Sequence, residues 1–405
     1  MTTAIAGPDL NFDVLPAEVR RFQQQVREYA RDELAPRALE LDLADAADFN
    51  WDIVQKGHEL GLTRALMPKE YGGLGVGVLG VAVAMEELAA ACPAVALIFG
   101  ATMLGQTPIL LSGDPRLQAR FLPLFAGDEA VLAANGIAEE EAGSDLVIPE
   151  NFVHARMATT ARRDGDFYVI NGHKKFCTNG KVAAFASIFA NMEGRPGATG
   201  LTCFIVPLDE PGVTRGEVAD KMGYRACLGT TLHFDDVRVP VEYMIGGEGT
   251  GAEIDVAQGN MARSSVAAIS TGIARNALEH AVDWCGKRVQ GGKLLHEHQF
   301  SAGKLAEMSA NVDAARLLYQ RAANKVDNEL PAPEYEPAVA KLFADRIAIE
   351  TAGAAVSLMG ARGYCREYGA EKILRDSYGT RIFEGTQEAL ALTVTASLYR
   401  EEDEL

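Results

Sequence analysis

The stretch Arg375-Asp-Ser-Tyr-Gly-Thr-Arg-Ile-Phe-Glu384-Gly-Thr386 carries the residue pattern best suited to chemistry in this chain. A carboxylate, Glu384, follows two apolar residues, Ile382 and Phe383, and precedes Gly385, which lets a ligand or another backbone come close. Apolar neighbours disfavour the charged form of a carboxyl, so its pKa rises towards that of a useful general base. Thr386 and Gln387 add hydrogen-bonding groups just ahead of the apolar run Leu390, Leu392, Val394 and Leu398. A solvated Glu at an ordinary helix N-terminus is the competing reading, and the local pattern alone does not separate the two.

The rest of the composition narrows the chemistry. With 405 residues, 48% of them hydrophobic, the chain buries a large core and is expected to form two or three domains. A formal net charge of -18 argues against a nucleic-acid partner, which draws on clustered Lys and Arg. A phosphate-bearing small molecule needs only a local basic or backbone-amide site and stays open. The cysteines (Cys92, Cys177, Cys203, Cys227, Cys285 and Cys365) show no CxxC spacing, which suits reduced thiols in a cytoplasmic protein without zinc or disulfides. His296 and His298 would point apart on a helix, so no metal site is expected there. No secretory signal and no uninterrupted apolar run of membrane-spanning length is read, so no membrane partner is expected.

Glu384 must be positioned by a largely helical frame. Val19, Phe22, Val26 and Tyr29 recur at helical spacing from Pro16, and further helices are expected over 51–60 and 81–91. Residues 1–130 thus read as an N-terminal helical domain. Phe167-Tyr-Val-Ile170 followed by Asn171-Gly172 predicts a hairpin turn, and 187–190, 202–206 and the alternating Leu232, Phe234, Val237 and Val239 read as further strands. This makes 131–245 a middle β domain, barrel-like or a sandwich. Helical periodicity then returns over 251–289, 297–326, 337–359 and 386–400, which predicts a C-terminal four-helix bundle over 246–405. The fold class is α+β, mostly α. Gly246-Gly-Glu-Gly-Thr-Gly251 lacks the GxGxxG spacing and reads as a linker.

Three segments, Ala138-Glu-Glu-Glu-Ala-Gly-Ser-Asp145, Asn171-Gly-His-Lys-Lys-Phe-Cys-Thr-Asn-Gly180 and Phe383-Glu-Gly-Thr386, resemble the acyl-CoA dehydrogenase family. The resemblance extends to Pro68-Lys-Glu-Tyr-Gly-Gly-Leu-Gly75, Met85-Glu-Glu-Leu88 and Gly292-Lys-Leu-Leu-His-Glu-His-Gln299, so it covers essentially the whole chain. It implies FAD as cofactor and α,β-dehydrogenation of an acyl thioester such as an acyl-CoA. In that reaction a base takes the α-proton while hydride leaves the β-carbon for the flavin. Glu384 matches the family's catalytic base. Some members carry that base immediately before the arginine matched by Arg263, but Ala262 stands there and cannot accept a proton.

By the same resemblance, Asn135, Ile137, Ala138, Gly143 and Ser144 match the loop lining the flavin, with Ser144 also near the thioester. Phe176, Cys177 and Thr178 match the segment against the isoalloxazine. Arg288 and Gln299 match positions that reach a neighbouring subunit's FAD. Ser357, Gly360, Ala361 and Thr386 match further FAD contacts. Asn260, Arg263 and Gly385 match the substrate channel. The family pattern implies a homotetramer that passes electrons to an electron-transfer flavoprotein.

The chain departs from the family pattern at Ala138, Glu140, Phe176, Gly259, Asn260, Gly291 and Ser357, and it is lengthened between Asp145 and Thr160. These departures leave the acyl group open among short-chain, branched, cyclic and aryl thioesters, on coenzyme A or on a carrier protein. A flavin oxidase or monooxygenase of the same fold, and a non-catalytic partner in a hetero-oligomer, are the competing classes.

Overall fold

The computed structural model describes residues 15–44, 48–146, 151, 154–195 and 197–399. Helix α1 (Ala17–Tyr29) buries Val19, Phe22, Val26 and Tyr29, the stripe its spacing predicts. After the short α2 (Ala38–Leu43) and α3 (Trp51–Glu59) come two core helices, α4 (Gly77–Ala91) and α5 (Pro93–Ser112). Pro93 opens α5 and left-handed Gly113 closes it, placements in which neither residue disturbs the helix. By length and composition α5 could cross a membrane, contrary to the expectation that no such run exists. Its window is 72% buried inside the protein, and Gln106 uses its amide on the Thr63 carbonyl, so α5 is a core helix here. The short α6 (Pro115–Phe121), capped by Asp114, leads to the sheet.

The middle region is an eight-stranded sheet made of β1 (Ala133–Gly136), β2 (Thr160–Asp164), β3 (Phe167–Thr178), β4 (Phe185–Met192), β5 (Leu201–Pro207), β6 (Val213–Val218), β7 (Gly229–Pro240) and β8 (Met244–Ile245). The order is β6-β7-β3-β2-β4-β5-β8, with β1 running parallel to β4. The hairpin expected at Asn171-Gly172 is not there. The turn lies between Asp164 and Phe167, and Asn171-Gly172 sits inside the long β3, at a register shift against β7. Asp236 takes a left-handed φ of 49° at this bulge, where Asn171 Oδ1 accepts its amide N–H at 2.9 Å. A Cβ on Gly172 would stand 2.6 Å from the Thr159 backbone. The glycine therefore serves close approach in a bulge rather than a turn. The extra residue also shifts the phase between Phe234 and Val237, both of which remain buried.

The C-terminal region is helical: α7 (Gly251–Lys287), a small hairpin of β9 (Val289–Gln290) and β10 (Lys293–Leu294), then α8 (Gln299–Asn328), α9 (Tyr335–Met359), α10 (Ala370–Thr380) and α11 (Gln387–Leu398). Sequence periodicity places the fourth helix at 386–400 and misses α10. The buried face of α10 mixes the apolar Ala370 and Ile373 with the polar Lys372, Asp376, Ser377 and Thr380, which thins its apolar periodicity. Helix α7 runs through the middle of the bundle and also packs on α4. Gly272 makes that contact, since a Cβ there would come within 2.5 Å of the Glu86 carbonyl oxygen. Glu86 and Glu87 of α4 pair with Arg275 of α7, and Glu86 with Arg316 of α8, so N- and C-terminal helices share one core.

Candidate active site

A cavity of about 710 Å³ opens where α4, α5, α7, the β1 loop, β3 and the α10–α11 connection converge. Its apolar wall includes Val81 of α4, Leu97 and Leu104 of α5, and Val266 and Ile269 of α7. Glu384 enters it from the α10–α11 connection, half-buried and in the left-handed region at φ 58°. That conformation is uncommon for a residue with a side chain and points to a site where geometry is held for a purpose.

Several contacts fix this connection. Thr386 Oγ1 accepts the Ala389 N–H and caps α11, and Phe383 packs edge-on against Tyr224 at 5.6 Å. Asp376 accepts the Tyr224 N–H at 2.7 Å, while Arg375 donates to the Met222 carbonyl and to Asp42. The opening residues of the Arg375–Thr386 stretch therefore dock the sheet region onto α10, and its closing residues present the carboxylate.

Burial pushes the Glu384 carboxyl above its ordinary range, and the charges of Arg263 and Lys341 oppose this without cancelling it. Arg263, only 6% exposed, donates to Asn260 Oδ1 at 2.8 Å, while its Nε is buried without a hydrogen-bond partner among the described residues. An orphaned buried guanidinium N–H on a cavity wall suits an oxygen-bearing ligand. Asn260 itself does not line the cavity. It holds Arg263, and its amide reaches the Ala332 carbonyl at 3.5 Å. Gly259 does line it, with Arg263 3.3 Å from where a Cβ would stand.

Two cavity residues carry no signal in the sequence beyond their type. Asp255 lies two turns before Arg263 on α7 and accepts from Gln258 Nε2 at 2.9 Å; Gln258 Oε1 accepts from Asn135 Nδ2 at 3.2 Å. Burial lifts the Asp255 carboxyl to about 7, with the Glu384 charge adding to the effect. Their recognition needs the helix phase, which places Asp255, Gln258 and Arg263 on one wall.

Asn135, Ile137, Ala138, Gly143, Ser144, Phe176, Thr178, Gly385 and Thr386 all line the same cavity. Phe176 is 64% exposed, at a left-handed φ of 56°, with the Lys175 ammonium 6.0 Å from its ring centroid. Glu139, overlooked in the sequence, anchors this wall. It receives Lys174 Nζ at 2.6 Å and the amides of Ala158 and Thr159, while Lys174 also donates to the Ile137 carbonyl. Burial raises the Glu139 carboxyl, yet Lys174 and these donors bring it below the ordinary range. Cys177 turns its thiol into the sheet core, where burial pushes it up to about 12, so it takes no part as a reactive group.

Three family models match the chain: the acyl-CoA dehydrogenase N-terminal domain over 16–129, the middle domain over 134–237 and the C-terminal domain over 249–399. The chain belongs to the acyl-CoA dehydrogenase family. Cyclohex-1-ene-1-carbonyl-CoA dehydrogenase of Geobacter metallireducens is 36% identical over 385 residues, covering 95% of this chain and 98% of the relative. Butyryl-CoA dehydrogenase from Megasphaera elsdenii superposes with a TM-score of 0.89 at 34% identity, over 95% of this chain and 99% of that one. A prolyl acyl carrier protein oxidase superposes at 0.84 with 27% identity, over 95% and 100%.

Acyl-CoA dehydrogenases are FAD-dependent oxidoreductases. The cavity fits the flavin end of that cofactor: Phe176 offers an exposed aromatic ring, Thr178 a hydroxyl, and Gly143 space, among the described residues, where a side chain would stand. Arg288, Gln299, Ser357, Gly360 and Ala361 lie elsewhere, all exposed and none lining the cavity. Arg288 donates to Gln290 Oε1, and Ser357 Oγ to the Gly353 carbonyl. One protomer does not bring these five to the flavin wall.

Proposed function

We propose that the protein dehydrogenates an acyl-CoA thioester between its α- and β-carbons, with Glu384 as the base. The observation that carries this is Glu384 itself: a half-buried carboxylate, raised in pKa by burial, held at φ 58° in the cavity that presents Phe176 and Thr178. Glu384 takes the α-proton onto its carboxylate. FAD, when bound, supplies the acceptor for the hydride that leaves the β-carbon. Arg263 and Ser144 bind oxygens of the substrate, Asn260 orients Arg263, and the backbone at Gly385 lies alongside the thioester. The apolar wall of α4, α5 and α7 excludes water and receives the acyl chain. Short-chain and cyclic acyl groups are the first to test, since relatives named for butyryl and cyclohexenecarbonyl thioesters align over nearly the whole chain.

Exposure of Arg288 and Gln299 away from this cavity supports their reaching the FAD of a neighbouring subunit, and the family resemblance supports a homotetramer, with Ser357, Gly360 and Ala361 as further FAD contacts. We assign an electron-transfer flavoprotein as acceptor and a cytoplasmic location on the family resemblance. Titrating the holoenzyme anaerobically with short-chain, branched, cyclic and aryl acyl-CoAs tests the reading: one class should bleach the flavin, and no bleaching with any of them overturns it. A carrier-protein oxidase is the second reading, favoured by the match to the prolyl acyl carrier protein enzyme. Rapid reoxidation of substrate-reduced enzyme by air would support it, whereas a dehydrogenase reoxidises slowly.

A further inference from the structure

Lys341 of α9 is fully buried and far from the solvent that usually hosts a lysine. Its ammonium has three protons and finds three acceptors: Asp345 Oδ2 at 2.8 Å, the Thr380 carbonyl at 2.6 Å and the Gly385 carbonyl at 2.9 Å. Thr380 is the last residue of α10, and Gly385 follows Glu384 directly. One buried cation therefore ties together both ends of the connection that carries the base. Asp345 is held in turn by Ser270 Oγ of α7 at 2.7 Å, and Gln387 Nε2 adds a bond to the Leu342 carbonyl at 3.1 Å. The connection is pinned to α9 on both sides of Glu384.

We propose that Lys341 is the positioning residue of the reaction, closing the Glu384 loop so that its carboxylate is aimed at the substrate α-carbon. The inference rests on Glu384 being the base. Buried salt bridges of this kind contribute little to stability against an apolar pair of similar shape, so stability alone does not account for a lysine here. What the ammonium supplies, and an apolar side chain would not, is a link between two backbone carbonyls that flank the base in sequence. It also adds positive charge near a carboxylate that must ionise to act. Asp255 and Arg263 of α7, Arg375 of α10, and Glu139, Lys175 and Lys221 on the sheet side also line this cavity, while Asp345 of α9 pairs with Lys341 and Lys372 with Asp376 on α10. Of these charges, those of Arg263 and Lys341 favour the ionised Glu384.

Two double variants of the holoenzyme test this. Lys341→Met/Asp345→Asn removes the clamp and its charge without leaving a buried carboxylate unpaired. Lys341→Gln/Asp345→Asn keeps two N–H donors but no charge. Each is compared with wild type using an acyl-CoA that the wild type is first shown to oxidise; failure of the wild type with every acyl-CoA overturns the dehydrogenase reading instead. In the Met variant, flavin reduction per bound FAD should fall about 10–10²-fold, the scale set by a small misplacement of a catalytic group, with KM little changed. Amides over 381–385 should exchange hydrogen faster. The Gln variant should recover part of the rate, while the acid limb of the pH–rate profile moves upward in both. If the Met variant does not fold, the Gln variant alone carries the test through its acid limb. Wild-type reduction rates per bound flavin, or an unmoved acid limb in a folded variant, would overturn the proposal.

Discussion

Asp255 and Glu384 put two carboxyl groups on the wall of one cavity, the first from α7 and the second from the α10–α11 connection, and the Glu384 charge helps hold the Asp255 proton in place. Burial supplies the larger part of that effect and lifts Asp255 to about 7. The folded state keeps a proton there that the unfolded chain releases near pH 4. This contribution to stability is therefore present below the unfolded pKa and lost as pH rises through about 7. Asp255→Asn should flatten the fall in stability between pH 4 and 7 relative to wild type, by on the order of a few kcal/mol at about 1.4 per pKa unit. Denaturant melts of both proteins across that range check it; parallel curves would show that Asp255 titrates normally.

Breaking the Lys174–Glu139 pair should loosen the flavin wall. Both side chains are buried, and Glu139 also collects the Ala158 and Thr159 amides. Lys174→Met leaves an uncompensated buried carboxylate, which typically costs 3–5 kcal/mol. Calorimetry should show that loss together with weaker FAD retention, because Lys174 also holds the Ile137 carbonyl. The combined Lys174→Met/Glu139→Gln variant should recover part of the stability.

How much of this was legible in the sequence depends on what each segment buries. Helix α1 announced itself because its buried residues are apolar at helical spacing. Helix α10 did not, because only Ala370 and Ile373 of its buried residues are apolar, the rest being Lys372 paired with Asp376, with Ser377 and Thr380 beside them. Asn171-Gly172 reads as a turn from dipeptide chemistry, and the long β3 overrides it because the glycine answers a close contact with Thr159. Glu384 stood out through its apolar neighbours. Lys341 was invisible, since its three acceptors are Asp345 four residues away and two carbonyls about forty residues on.

Asn260 illustrates a placement that the structure alters. Matched to the substrate channel, it lies instead behind Arg263, accepting a guanidinium proton at 2.8 Å. Asn260→Asp would strengthen that pairing and draw Arg263 back from the ligand. KM for the acyl-CoA should rise several-fold with kcat little changed, the mark of lost uniform binding. A change confined to kcat would place Asn260 closer to the reacting carbons than this geometry does.

Arg288→Ala should weaken flavin retention and assembly together if its exposed guanidinium meets a neighbouring subunit's FAD. Loss of a charge-assisted hydrogen bond costs roughly 1.5–3 kcal/mol, enough for flavin to wash out during gel filtration. A variant that stays fully flavinylated at the native size would remove Arg288 from the cofactor site.

The identity of the base is tested most directly by Glu384→Gln. The α-proton of a thioester is weakly acidic, so its removal needs a positioned acceptor, and burial keeps the Glu384 carboxyl basic enough to serve. Glutamine preserves shape and reach but does not take the proton. General bases contribute about 10²–10⁴-fold, and because proton and hydride loss are coupled here the upper end applies. The measurement is flavin reduction in a single anaerobic turnover with an acyl-CoA that bleaches the wild type, at matched FAD content. The Gln variant should bleach at least about 10⁴-fold more slowly, with its melting temperature little changed; bleaching near the wild-type rate would show that another residue is the base.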